Sequence, residues 1–385
     1  MNSYRGITWD HPRGRNALLA AAEDERRRGT GLDLTWFAHS LEHFESHPID
    51  DLAPDYDLIV LDHPHLGDAL QHHVLMPMEE IVGAERIRRW SGQSVGPSFD
   101  SYSVGGVQWA LPLDAATQVS VYKPALVTAP PVLWDDVEIL STTVPVALSL
   151  AGPHAYLTFS SICAAYDAPV GGPHDGGAGV AADAFVAEEI GIRALSRMRA
   201  IGSRAPSDAA GQNPISLLQR MTDTDDIAYC PLVYGYVNYS SPTLRFGDAP
   251  SVVPGGRHGS TIGGTGLAVS TRTEVTSSLV DHIDWLMSPD AQRRFIPRHD
   301  GQPSSRRAWT DGEVNRASAG FYRSTLATIE DSSVRPRFPG YIGFQSAASA
   351  IVRDVVAGKE TAESGFTRLR RAYAAAVPVT TGKVS

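Results

Sequence analysis

The sequence predicts an α/β protein built as two lobes around a central cleft. Three observations point there. The first 61 residues read as strand, helix, strand, helix, strand, the order that produces a parallel sheet. A strand-like stretch over 104–122 is interrupted by proline and polar residues, which suits a chain crossing from one lobe to another. The length, 385 residues with 42% apolar, suggests two or three domain-sized units with a core in each.

Residues 4–9 (YRGITW) form the first expected strand, closed by Asp10, His11 and Pro12. Asn16 is placed as the cap of a helix running to about 28, with Ala17, Leu18, Ala21 and Ala22 on one face. Gly29 and Gly31 stop it, and 32–37 follows as a second strand. A helix over 40–46 leads to a buried third strand at 56–61 (YDLIVL), which ends on Asp62, His63 and Pro64. Further strands are expected at 104–111, 119–122, 144–150, 227–239 and 262–270. Helices are expected at 153–165, 182–201, 214–221, 314–331, 341–357 and 361–376, and a Gly- and Pro-rich surface loop at 168–182.

Composition narrows the function. A net charge of −10 and short, mixed arginine runs exclude nucleic acid as a main partner, because neutralising phosphates needs a basic face. No run of about 18 apolar residues occurs, so the chain is not expected to span a membrane. The opening residues show neither a secretory leader nor an acylatable cysteine. Taken as written, the chain reads as cytoplasmic, or as periplasmic or extracellular if a leader has been removed. Cys163 and Cys230 lack CxxC spacing and imply neither a disulfide nor zinc. His39, His43 and His47 recur every four residues, but a solvated helix face explains them better than a metal site. No metal, no cofactor and a monomeric chain are expected. There is no GxSxG elbow, no P-loop and no GxGxxG after the first strand.

In a parallel sheet, ligands lie beyond the carboxyl ends of the strands. That rule nominates Trp9, Asp10, His11, Asp62 and His63, and the crossing stretch adds Asp114, Thr117 and Gln118. His154 and Tyr156 open a helix, Tyr234, Tyr236 and Asn238 end an aromatic strand, and Gly263, Gly264 and Thr265 could bring bare backbone to a ligand. Arg335, Arg337 and Tyr341 could hold a carboxylate from the opposite side. Aromatic faces with polar partners suit sugar-like molecules, whereas arginines and a helix start suit a small acid. Asp10, Asp62 and Asp114 could also crowd into one site, raising a pKa for acid–base chemistry.

Three segments carry a family resemblance: GVQWALPLDAATQVSVYKPAL from Gly106, GGTGLAVS followed by SSLVDHIDWLMSPDAQRRF, and RHDGQPSSRRAWTD. With the order of elements, they resemble the family 1 extracellular solute-binding proteins of ABC importers, which include the maltodextrin-binding proteins. The resemblance implies a type II periplasmic-binding-protein clamp with discontinuous lobes, 1–113 with 265–308 and 114–264 with 309–385. It implies capture of a small polar solute between the lobes, hinge closure, and an ABC permease as partner. Two alternatives remain: a cytoplasmic enzyme on this scaffold using cleft Asp and His residues, and a cytoplasmic ligand sensor.

Overall fold

The computed structural model describes residues 2–171 and 185–378. Strands β1 (Asn2–Trp9), β2 (Leu32–His39) and β3 (Leu58–Leu61) form the expected parallel set, with β1 between the other two. Strand β3 is a continuous buried apolar run because the sheet is covered on both faces there. Leu58 and Val60 enter the large core, while Ile59 and Leu61 enter a smaller one on the other side. Helix α1 (Pro12–Arg28) and helix α2 (Leu41–Ser46) follow β1 and β2.

Helix α1 starts four residues before the expected cap at Asn16. The Nδ1 of His11 accepts the Arg13 N–H at 3.1 Å, and Pro12 needs no donor in the first turn. The Asp-His-Pro tripeptide is therefore a helix start. His39 belongs to β2 and not to a helix, so it does not share one helical face with His43 and His47.

Gly105 and Gly106, both at positive φ, fold the expected 104–111 strand into a hairpin of β4 (Ser103–Val104) and β5 (Val107–Gln108). The long strand β6 (Leu111–Tyr122) then runs unbroken through Pro112, with register shifts at 112/114 and 119/121. Its first half pairs antiparallel with β9 (Ile262–Val269), and its second half pairs with β7 (Tyr229–Tyr234) and β8 (Arg245–Gly247). Strand β9 also pairs with β3. Strands β6 and β9 thus join the lobe containing β1–β3 to the lobe containing β7 and β8. The chain around Ser333 lies beside them, where Ile262 N–H donates to Ser333 O and Ser333 N–H donates to Ser260 O.

The second lobe packs helices α3 (His154–Ala165), α4 (Glu188–Gly202), α5 (Tyr341–Val356) and α6 (Ala362–Ala376) against one another. Residues 146–150 are buried, but the expected 144–150 strand bridges β7 only at Val146, since Pro145 lacks a donor. The expected 314–331 helix is three short helices, broken where Ala319 and Gly320 take positive φ. The 227–239 strand stops at Tyr234 and turns into a helical turn, Val237–Tyr239. Most of the 168–182 loop, and the first residues of the 182–201 helix, lie outside the described residues. Among the described residues, no helix is long and apolar enough to cross a membrane.

Candidate functional site

The cleft is assembled from strand ends and helix starts. Trp9 closes β1, Arg13 sits in the first turn of α1, and Asp62 follows β3, all at the carboxyl edge of the parallel set. Leu41, Phe44 and Glu45 face it from α2. Pro153, His154 and Leu157 face it from the start of α3, Ile342 and Gln345 from the start of α5, and Tyr234 and Tyr236 from the end of β7. Gly263, Gly264 and Thr265 of β9 and Arg335, just after the Ser333 contact, complete it. The space enclosed is about 570 Å³, including the part open to solvent.

Gly264 has φ +95°, and a side chain there would start 2.3 Å from the Asp114 carbonyl oxygen. A Cβ on Gly263 would stand 2.5 Å from the Tyr234 ring. Both glycines are needed for that close approach. Trp9 stacks on His11 at 5.2 Å and meets Phe44 at 5.8 Å and Tyr236 at 5.9 Å.

Two buried arginines organise the charge. Arg13 donates through Nε and Nη2 to Asp114, with a shortest distance of 2.6 Å, and through Nη1 to the Gly235 carbonyl at 3.1 Å. Its guanidinium lies 4.6 Å from the Tyr236 ring centre. Burial opposes its charge, but Asp114 raises its pKa; burial likewise pushes the Asp114 carboxyl up, against the pull of Arg13. Arg335 donates to both Asp62 oxygens at 2.7 and 2.5 Å and to Gln345 Oε1 at 3.2 Å. Burial would raise Asp62, yet Arg335 and His63 hold it well below the usual carboxylate range. Burial and Arg335 push His63 down to about 3, and burial and Arg13 push His11 down to about 4, so both rings are neutral near pH 7. Glu45 has no arginine; its Oε1 lies 3.1 Å from His154 Nε2 across the cleft. The three aspartates therefore do not share one site: Asp62 and Asp114 each carry their own arginine, and Asp10 is exposed beside Arg15.

No protein-family model matches the sequence, and no curated protein matches it either. Solved structures do match. An ABC transporter solute-binding protein from Agrobacterium radiobacter, in complex with ribitol, superposes with a TM-score of 0.77 at 17% identity, covering 97% of this chain and 98% of its own. Maltose-bound T. maritima MalE3 gives 0.77 at 12% identity over 96% and 98%. A solute-binding protein from Agrobacterium vitis with bound D-mannitol gives 0.73 at 15% identity over 96% and 97%. The fold is the two-lobed solute-binding clamp.

Within the clamp, the residues nominated from sequence separate by position. Trp9, Asp62, His154, Tyr234, Tyr236, Gly263, Gly264, Thr265 and Arg335 line the cleft. His11, His63 and Asp114 stand directly behind it: His11 stacks under Trp9, His63 Nε2 accepts the Arg335 N–H at 3.3 Å, and Asp114 anchors Arg13. Thr117 and Gln118 belong to a buried network in the crossing strands, with Thr117 Oγ1 2.5 Å from Ser260 Oγ and Ser161 Oγ donating to Gln118 Oε1 at 2.6 Å. Tyr156 is core, packed on Phe159 and Phe344. Asn238 donates to Asp300 O, Arg337 donates to Asp100 O and Ser101 O, and Tyr341 packs on Phe338.

Sequence reasoning did not nominate Arg13, Leu41, Phe44, Glu45, Leu157, Ile342 or Gln345 for the cleft. A cation in the first turn of a helix opposes the helix dipole, so Arg13 could have been flagged once the start of α1 was placed correctly. Nothing in the sequence marks Ile342 or Gln345.

Proposed function

We propose that this chain is a solute-binding protein that captures a small polar, sugar-like solute for an ABC importer. The observation that carries the reading is the cleft itself, which draws aromatic faces and mutually neutralised charges from both lobes. Aromatic faces stack on the apolar surfaces of sugars, and fixed polar groups hold the hydroxyls. Because Arg13 and Arg335 already hold aspartates, a neutral solute suits the cleft better than a small acid. The ribitol, maltose and D-mannitol in the structures of similar fold support the same class.

In this reading the lobes divide at 1–113 with 265–308 and 114–264 with 309–385, and the chain works as a monomer delivering solute to a permease outside the cytoplasm. Trp9, Asp62, His154, Tyr234, Tyr236, Gly264 and Thr265 touch the solute, while His11, His63 and Asp114 position those that do. The enzyme alternative is disfavoured because Asp62 and Asp114 are held by arginines, and Asp62 is too weak a base for proton transfer near pH 7.

The test incubates the protein with a library of sugars, alditols and small acids, following melting shift and turnover by mass spectrometry together. A sugar or alditol that raises the melting temperature and is recovered unchanged supports binding. Stabilisation by acids alone, or chemical conversion of any stabilising compound, would overturn it.

A further inference from the structure

The cleft is polar in a limited way. Arg13 spends Nε, Nη1 and Nη2 on Asp114 and Gly235, and both Asp62 oxygens receive Arg335. Trp9 Nε1 faces the backbone of Gly14. Tyr234 Oη, Arg335 Nε and His154 Nδ1 are sealed from solvent without a hydrogen-bond partner among the described residues, and His154 Nε2 faces Glu45 Oε1 at 3.1 Å. The charged groups of the cleft are thus largely committed to one another, and each solute hydroxyl buried without a partner costs affinity.

Beside Glu45, Thr265, Gln345 and Tyr236, much of the wall is hydrocarbon. Leu41 and Phe44 come from α2, Leu157 from α3 and Ile342 from α5, so aliphatic groups face the cleft from both lobes. Leu41 and Ile342 are partly exposed, which puts apolar surface at the rim as well as inside. Aliphatic branches do not stack on a sugar ring as Trp and Tyr do; what they reward is burial of another apolar group.

We infer that the natural solute is amphipathic: a hydroxylated, sugar-like head held by the polar groups, bearing an apolar substituent gripped by Leu41, Phe44, Leu157 and Ile342. This rests on the sugar-like reading above and adds the second half of the molecule to it. Isothermal titration calorimetry on the full chain would compare D-glucose, D-galactose and D-xylose with the methyl and phenyl glycosides of each, in both anomers.

For at least one sugar, the phenyl glycoside binds about tenfold or more tightly than the free sugar, the gain expected from burying a ring of that size. Ile342→Ser and Leu41→Ser, both at the partly exposed rim where a polar group is tolerated, pull that ratio back toward one. A free sugar that binds as tightly as its phenyl glycoside overturns the inference and leaves the sugar-binding reading standing. A ratio unmoved by both variants overturns the placement of the substituent. If neither sugars nor glycosides bind, the sugar-like head is wrong and the inference falls with it.

Discussion

Each cleft arginine is tied to an aspartate from a distant part of the chain. For Arg13 and Asp114 the pair is nearly dry, with both side chains at most 5% exposed. Removing one partner of such a pair strands the other charge in a low-dielectric site, which costs more than the pair itself contributes. Asp114→Asn is expected to lower unfolding free energy by about 3 kcal/mol, read from urea denaturation. A change under about 1 kcal/mol would mean that water reaches Arg13.

Protonation acts at the same scale. Burial lowers His11 and His39 to about 4 in the folded chain, from an ordinary value of about 6.5. Between those values the unfolded chain binds protons that the fold refuses, so stability is lost as pH falls from about 6.5 through 4. Glu25, lowered to about 2 chiefly by its hydrogen bond with His282, adds a further loss as pH falls from about 4.5 toward 2. The urea midpoint should therefore fall between pH 7 and pH 4.5, by an amount on the order of 5 kcal/mol in unfolding free energy for two rings shifted that far. Equal midpoints would show that these rings already hold their protons, or are solvated, in the fold.

At the scale of elements, periodicity and position explain what could be read from sequence. The apolar run at 56–61 and the glycine stops at 29 and 31 define the parallel core with little help from the rest of the chain. The hairpin at 103–108 and the breaks at 319–320 depend on left-handed backbone at particular residues, which hydrophobic pattern does not report. Cleft-lining was legible where a strand end supplied the residue, as for Trp9 and Asp62. It was illegible where a helix start swung in from elsewhere, as for Gln345 and Ile342, because the angle of approach is set by tertiary packing. Gly264 shows the same dependence. Its positive φ and its contact with the Asp114 carbonyl lie in the first stretch of β9 after the chain crosses from the second lobe. Gly264→Ala should cost about 2 kcal/mol or more, seen as a lower melting temperature. Unchanged melting would mean that β9 shifts freely against β6.

For the whole molecule, function depends on how the two lobes meet. Polar contacts bridge them away from the crossing strands' own ladders, and three serve as examples. Arg13 of α1 donates to the Gly235 carbonyl beyond β7, Asn238 donates to the Asp300 carbonyl at 3.0 Å, and Glu45 of α2 faces His154 at the start of α3. All three are made in the arrangement seen here, and hinge opening would break them. A solute bound between the lobes adds its own contacts to this set, so closure and binding share one free energy. Weakening a bridge should open the empty clamp and reduce affinity together, because part of the binding energy must then replace the lost contact. Asn238→Ala tests this without touching the cleft lining or a buried charge. The unliganded variant should show a larger radius of gyration by small-angle X-ray scattering than the parent, and the two should converge at saturating solute. Its affinity should fall by about three- to tenfold, matching the loss of one hydrogen bond. A variant as compact as the parent but equally weakened would place the effect in the binding surface, and one opened without loss of affinity would uncouple closure from capture.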